Sequence, residues 1–543
     1  MRTPVCWVAG WAALLAVPAS GLADSPERPK EELVQRLTAA IDRHLSADWK
    51  ASQTTPSPEA DDAEYVRRVY LDLVGRTPRV AETRAFLSDK SADKRARLVE
   101  RLLDMPTFAA HFAAATRADW LPQSLNDFRT QFQGNQFEDW LRRQYAANTP
   151  LDELTSKVLT ASVAVGQRGR VAFDRPQDGN RDEQDIANFY QANDVKPENL
   201  AATVSRVFLG VKLECAQCHD HPFAPYTKDQ FWQFAAFFGE FTPLPPVSPS
   251  FVGPLRPQYE FNRLTIPNTT KTVTALYFDG ESPEWSSDRT PRRELAGWLT
   301  SAKNPYFARN LANRTWAHFF GIGIVEPVDE PGAENPPSHP ELLAELAAGL
   351  IEAKFDQRVL VRAIAASRAY NLTSKQSHET QSDPRRFSRM PLRGLTADQI
   401  YDSFLAATGA RDLAPRNQRF FDPRNDVGRN AFRTLFQQAA VKTTESQTSI
   451  LQSLMMMNGR QVTDQTSLAS SDVLAAVADA PFLDTEKRVD ALFLAALTRK
   501  PTPHEREQFA SYVERGGPSG DKKKALADVF WVLLNSTEFL FNH

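Results

Sequence analysis

At 543 residues the chain is long enough to bury large apolar cores without covalent staples, and its length points to two to four domains. A formal net charge of -3 supplies no overall basic field for nucleic acid or anionic lipid. With only three cysteines the chain is not a disulfide-stapled scaffold, and 37 prolines against 23 glycines point to stiff, extended connections.

The first element is a leader. Arg2 precedes an apolar run from Trp7 to Val17, Pro18 breaks it, and Gly21-Leu22-Ala23 forms a small-x-small site. The run is short for a bilayer span and has the order of a secretory signal cut after Ala23. A retained N-terminal anchor is the competing reading. Cleavage removes Cys6 and leaves Cys215 and Cys218 in an exported chain, periplasmic or at the cell surface, with no later transmembrane segment.

Helical patterns follow. Leu33, Leu37, Ile41 and Leu45 recur four apart. Residues 61–112 read as a helix, a break at Gly75 and Pro78, a short helix, and a longer one from Asp93 to Leu103. Residues 136–163 give two helices, with Pro150 as a start signal. Arg170 to Pro197 is polar and reads as loop; "PENLAATVSRVFLG" reads as a helix that stops at Gly210. Residues 241–289 are rich in Pro, Ser and Thr and carry the β-type runs "NRLTIPN" and "KTVTALYFDG". Helices return from Thr290, with polar gaps near 376–388 and 411–430. The expected fold is mainly α: a signal peptide at 1–23, a helical domain at 24–240, a small β-containing insertion at 241–289 and a second helical domain at 290–543.

One internal echo stands out. "RRVYLDLVGRTPRVAETRAFL" followed by "DKRARLVERLLDMPTF" parallels "RVDALFLAALTRKPTPHEREQFASYV" followed by "DKKKALADVFWVLLNSTEFLF". Each has an apolar helix, an Arg-x-Pro or Arg-Lys-Pro break, a second helix with Glu then Phe, and an Asp-Lys start. The alternative is that any two helical hairpins look this way.

The chemistry-bearing stretch is "VKLECAQCHDHPFAPYTKDQFWQFAAFF". Cys215, Cys218 and His219 form Cys-x-x-Cys-His, the attachment signature of c-type haem. Thiols at i and i+3 can each reach one vinyl group on a porphyrin edge, and the adjoining imidazole then falls under the iron. Three competitors stay open. Structural zinc sites bring a second ligand pair from a dozen or more residues away, and no second Cys pair exists here. A thioredoxin-type redox pair needs a βαβ setting. A plain disulfide or inert thiols also remain. Beyond the motif, Thr227 to Gln230 has the form of a capping box, and the helix it starts carries Phe231, Trp232, Phe234, Phe237 and Phe238. That face is either a porphyrin wall or, as such faces usually are, ordinary core. A distal ligand cannot be chosen among Met105, Met390, Met455, Met456, Met457, His111, His318 and His339.

These stretches carry a resemblance. "FLGVKLECAQCHDHPFAPYTKDQFWQFAAFF", "YVRRVYLDLVGRTP", "DKRARLVERLL" and "FEDWLRRQYAANTPLDEL" resemble a planctomycete cytochrome-c-like domain family of largely unknown function. "RRELAGWLTSAKNPYFARNLANRTWAHFFGIGIVEPVDE", "PSHPELLAELAAGLIEAKFDQRVLVRAIAASRAYNLTS" and "VLLNSTEFLFNH" resemble the domain that usually accompanies it. The resemblance implies export, a two-part layout and a cytochrome-like label. Its pattern includes the His219 to Phe223 tail but usually has Asp next, where this chain has Ala224. Its tail includes Asp220 and His221 as additional site candidates, His221 alternatively orienting the loop or bonding a neighbour, and it marks Arg314, His318 and His339 as site residues or as fasteners between the halves. The function expected is haem-based electron transfer or redox chemistry with a redox partner. The alternative is a haem-free envelope-associated binding or scaffold protein, or an enzyme holding a divalent metal on the Cys/His cluster.

Overall fold

The computed structural model describes residues 28–543 except 126–127, 164–180, 223–224, 243–260, 287–288, 333, 411–426, 437–455, 458, 460–462 and 464–465. It is mainly helical, as the sequence patterns require. Helix α1 (Arg28–Ala51) lays Leu33, Leu37, Ile41, Leu45 and Trp49 along one buried stripe. That stripe packs on α13 (Pro340–Glu352) and α14 (Gln357–Ala366), so the first helix of the chain lies against the second half. Between them run α2 (Asp62–Val74), α3 (Val80–Ser88), α4 (Lys94–Leu103), α5 (Pro106–Trp120), α6 (Phe128–Ala146), α7 (Leu151–Thr160), α8 (Arg181–Ala192), α9 (Pro197–Val204), α10 (Lys228–Ala235), α11 (Pro291–Leu299) and α12 (Phe307–Phe320). After α14 come α15 (Arg368–Asn371), α16 (Ala397–Thr408), α17 (Val427–Phe436), α18 (Asp472–Asp479), α19 (Thr485–Leu497), α20 (Pro503–Glu514), α21 (Lys522–Leu534) and α22 (Thr537–Leu540).

Helix α8 lies where the polar composition reads as loop. Its apolar residues Ile186, Phe189 and Tyr190 stand at i, i+3 and i+4 and are buried, so a narrow stripe among polar neighbours sufficed to dock it. The β content is as small as expected. β1 (Arg263–Thr265) pairs antiparallel with β2 (Thr272–Thr274), Leu264 facing Val273. β3 (Arg393–Gly394) pairs antiparallel with β4 (Phe541–Asn542). Among the described residues, no helix is long and apolar enough to cross a membrane.

One apolar core runs from Leu33 to Met390 and a second from Leu395 to Leu540, with Leu71 of α2 contributing to the second. α2 is buried almost throughout. Its buried charged residues therefore bond to groups within the protein, only the Arg67 Nε being left without a partner among them. Asp72 accepts from the Arg393 guanidinium at 2.9 Å, the Tyr370 hydroxyl at 2.7 Å and the Asn542 amide at 2.7 Å. Arg68 donates to Glu64 at 2.7 Å and to the Tyr370 and Leu372 carbonyls. Arg67 donates to the carbonyls of Ala496, Glu538, Phe539 and Phe541.

The internal echo is also structural. Gly75 and Thr498, each just past an apolar helix, are both left-handed, with φ of 71° and 64°. The next residue in each copy clamps a glutamate six positions on: Arg76 to Glu82 at 2.8 and 2.9 Å, Arg499 to Glu505 at 2.9 Å twice. Each guanidinium lies 5.4 Å from a ring on the preceding helix, Tyr70 or Phe493. Glu82 and Glu505 each also accept from the backbone N–H three residues before, at 2.7 Å. The copies touch, α3 packing on α19.

Candidate functional site

The Cys-x-x-Cys-His stretch is reached through a fastened approach. α9 continues as a π-helical turn, Ser205–Leu209, and ends at Gly210 in the left-handed conformation, φ 68°. Gly210 also lies hard against α12: a Cβ there would meet the Asn310 amide oxygen at 2.6 Å. Asn310 donates to the Val207 carbonyl at 2.7 Å and Arg314 to the Arg206 carbonyl at 2.7 Å. Arg314 also holds both oxygens of Asp119, at 2.7 and 2.8 Å, while Arg206 donates to the Asp119 carbonyl. Beyond Gly210, the Lys212 N–H donates to the Asp329 carbonyl at 2.9 Å and its ammonium pairs with Glu330.

Glu214–Gln217 then forms one 3-10 turn, pinned by buried Leu213 and Ala216. Burial raises the Glu214 carboxyl above its ordinary pKa. The turn is held to α10 by the Trp232 indole, which donates to the Gln217 carbonyl at 3.0 Å. Cys215 and Cys218 are both free thiols and both exposed. His219 is exposed, its Nδ1 2.7 Å from the Asp220 carbonyl. A carbonyl only accepts, so Nδ1 carries a proton and donates to it. Two solvent-facing thiols beside an imidazole whose Nδ1 is the hydrogen-bond donor are the residues that would hold a thioether-linked haem, with Nε2 left to bind its iron.

The neighbouring candidates do other work. Asp220 accepts the Lys228 N–H at 2.9 Å and, with the Thr227–Gln230 capping box, fixes the start of α10. The His221 N–H donates to the Tyr226 carbonyl at 2.7 Å, and the two rings meet edge to face. Among the described residues no three His, Cys, Asp or Glu side chains converge as a metal site. The tail residues Phe223 and Ala224 lie outside the described residues. The aromatic run is core: Phe231, Trp232, Phe234, Phe237 and Phe238 are all buried.

Arg314, His318 and His339 do not join the turn. Arg314 fastens α12 to α5 and to the approach, as above. His318 is half-buried, its Nε2 donating to the Asp72 carbonyl at 2.8 Å and its ring 5.5 Å from that of His111. Burial lowers the pKa of His318 and pulls that of His111 down to about 3. His339 precedes α13, 3.0 Å from the Ser338 hydroxyl and against Phe387. Of the suggested distal ligands, Met390 and Met456 are buried and Met457 is exposed, while Met455 lies outside the described residues. Sequence reasoning missed the buried Asp72–Arg393 pair. Its signal was the charge set Arg67, Arg68 and Asp72 inside the apolar run "YVRRVYLDLV".

No curated protein and no solved structure matches the chain. Two family models do. Residues 40–242 match PSCyt2, protein of unknown function (DUF1549), and residues 291–431 and 427–513 match PSD1, protein of unknown function (DUF1553). The chain is therefore consistent with a family that pairs these two domains of unknown function.

Proposed function

We propose that the protein is an exported c-type haem protein of the cytochrome-c-like kind, acting in electron transfer or haem redox chemistry. The observation that carries the reading is the 3-10 turn. It presents Cys215 and Cys218 as free, exposed thiols, next to an imidazole whose Nδ1 is already committed to the Asp220 carbonyl. Each thiol adds across one vinyl group, sulfur to one carbon and hydrogen to the other, so no oxidant is consumed. Bound there, haem supplies a one-electron centre. The chain's own part is to hold the turn: Trp232 grips Gln217, Asp220 grips the α10 N-terminus, and Gly210 with Lys212 docks the approach on the second half.

The test is spectroscopic. Protein exported with the haem-attachment machinery present should, after denaturation, keep a covalent haem absorbance band, and Cys215→Ala with Cys218→Ala should lose it. His219→Ala should keep the thioethers but shift the band. A mass matching the bare processed polypeptide defeats the proposal.

A haem-free reading, as an envelope-associated scaffold or a metal enzyme, is favoured by one observation. The aromatic run that might have covered a porphyrin is spent in the core. Elemental analysis of a bare polypeptide would separate those two forms.

A further inference from the structure

We propose that the cavity between Tyr226 and α12 binds a small organic anion, a carboxylate on an apolar or aromatic body. The cavity measures about 340 Å³, and its walls include Leu209, Val325 and Val328, with Tyr226, Tyr306 and Arg309. That volume suits a single small molecule.

Three polar groups there are uncommitted. Neither the Tyr226 nor the Tyr306 hydroxyl makes a hydrogen bond among the described residues, while Phe278 packs both rings in place, with centroids 4.8 and 5.4 Å away. Burial raises both phenols, so they remain protonated donors at neutral pH. Arg309, one helical turn beyond Tyr306, is exposed and has no ion-pair partner among the described residues. The contrast with Arg314, locked on Asp119, is direct. The other polar side chains of the wall are spent on the fold: Asn310 on the Val207 carbonyl, Asn313 on both the N–H and the carbonyl of Val325, and Asn335 on the Glu330 carbonyl. The nearby carboxylate of Glu330 is paired with Lys212.

This arrangement selects by chemistry. A carboxylate can take the forked guanidinium and the phenol donors together. A neutral apolar molecule would leave all three donors unpaired, and a metal cation would meet an arginine. Inorganic phosphate could pair with Arg309 but would not displace water from Leu209, Val325 and Val328. The inference needs no haem, since it uses none of Cys215, Cys218 and His219. It places a ligand against the same loop, because the Tyr226 carbonyl holds the His221 N–H.

The test is calorimetric titration of the full exported chain with benzoate, using benzyl alcohol and inorganic phosphate as comparators. Benzoate should bind saturably at one site and more tightly than either comparator. Arg309→Gln should weaken benzoate at least about tenfold and Tyr306→Phe about threefold, with melting curves unchanged, since Arg309 is exposed. Absence of saturable benzoate binding, equal affinity for benzyl alcohol or phosphate, or full affinity in Arg309→Gln would each overturn it.

Discussion

Asp72 shows what a single carboxylate does when water cannot reach it. It sits on a buried helix and gathers Arg393, Tyr370 and Asn542, three residues that join the chain's distant parts to α2. Replacing it with alanine leaves the Arg393 guanidinium buried and unpaired, which costs about 3–5 kcal/mol. Urea unfolding of Asp72→Ala should show that loss, and a change under about 1 kcal/mol would mean the pair is solvated or replaceable. The cysteines illustrate the opposite case. Their spacing raises the expectation of haem attachment, and the fold leaves both free and exposed. Asp220, attractive as a ligand by its place between two histidines, instead caps a helix, a role its sequence neighbours Thr227 to Gln230 already advertised.

At the scale of elements, the repeated helix–clamp–helix unit carries its own prediction. Arg499 bridges Glu505 and Glu538, the latter at 2.6 and 2.7 Å, so it ties α20 to α22. Arg76 bridges within its own copy only. Arg499→Ala should therefore destabilise more than Arg76→Ala, by about 1 kcal/mol for the additional half-exposed pair. Equal losses in chemical denaturation would reject this. The elements were legible where the signal was local. Four-spaced apolar residues gave α1, the glycine and capping signals bounded α9 and α10, and alternating Thr, Val and Leu gave β1 and β2. α8 was hidden because only a short stripe in it is apolar, and docking on α6 rather than propensity decides it. The aromatic face of α10 could have been wall or core, and only packing could decide, since periodicity reports a buried face but not what buries it.

For the whole molecule, acid is the sharpest probe. His111 and His318 lie half-buried beside each other, and desolvation holds both below the ordinary histidine pKa, His111 down to about 3. Around them stand the Asp72 carbonyl and carboxylate, Arg393 and the more distant Asp398, and no carboxylate is hydrogen-bonded to either ring among the described residues. Above a free-histidine pKa of about 6.5 neither state binds a proton at these rings, so their contribution to stability is complete. As pH falls below that value the unfolded chain takes up protons more readily than the folded chain, and stability drains away. The melting temperature should fall between pH 7 and pH 5, and a flat profile would show that the rings are hydrated. What the sequence could not reveal at this scale is which distant parts meet. The packing of α1 on α13 and α14 depends on long-range apolar fit, for which a single chain carries no local mark.

Arg67 binds carbonyls of residues 496, 538, 539 and 541, more than four hundred positions downstream. During synthesis its helix emerges long before those partners exist, and a ribosome adding about 5–20 residues per second needs roughly 20 to 95 seconds to supply them. Until then a charged side chain meant for a dry interior must stay wet. The packing of α2 is therefore completed only once α22, the last helix, has been made.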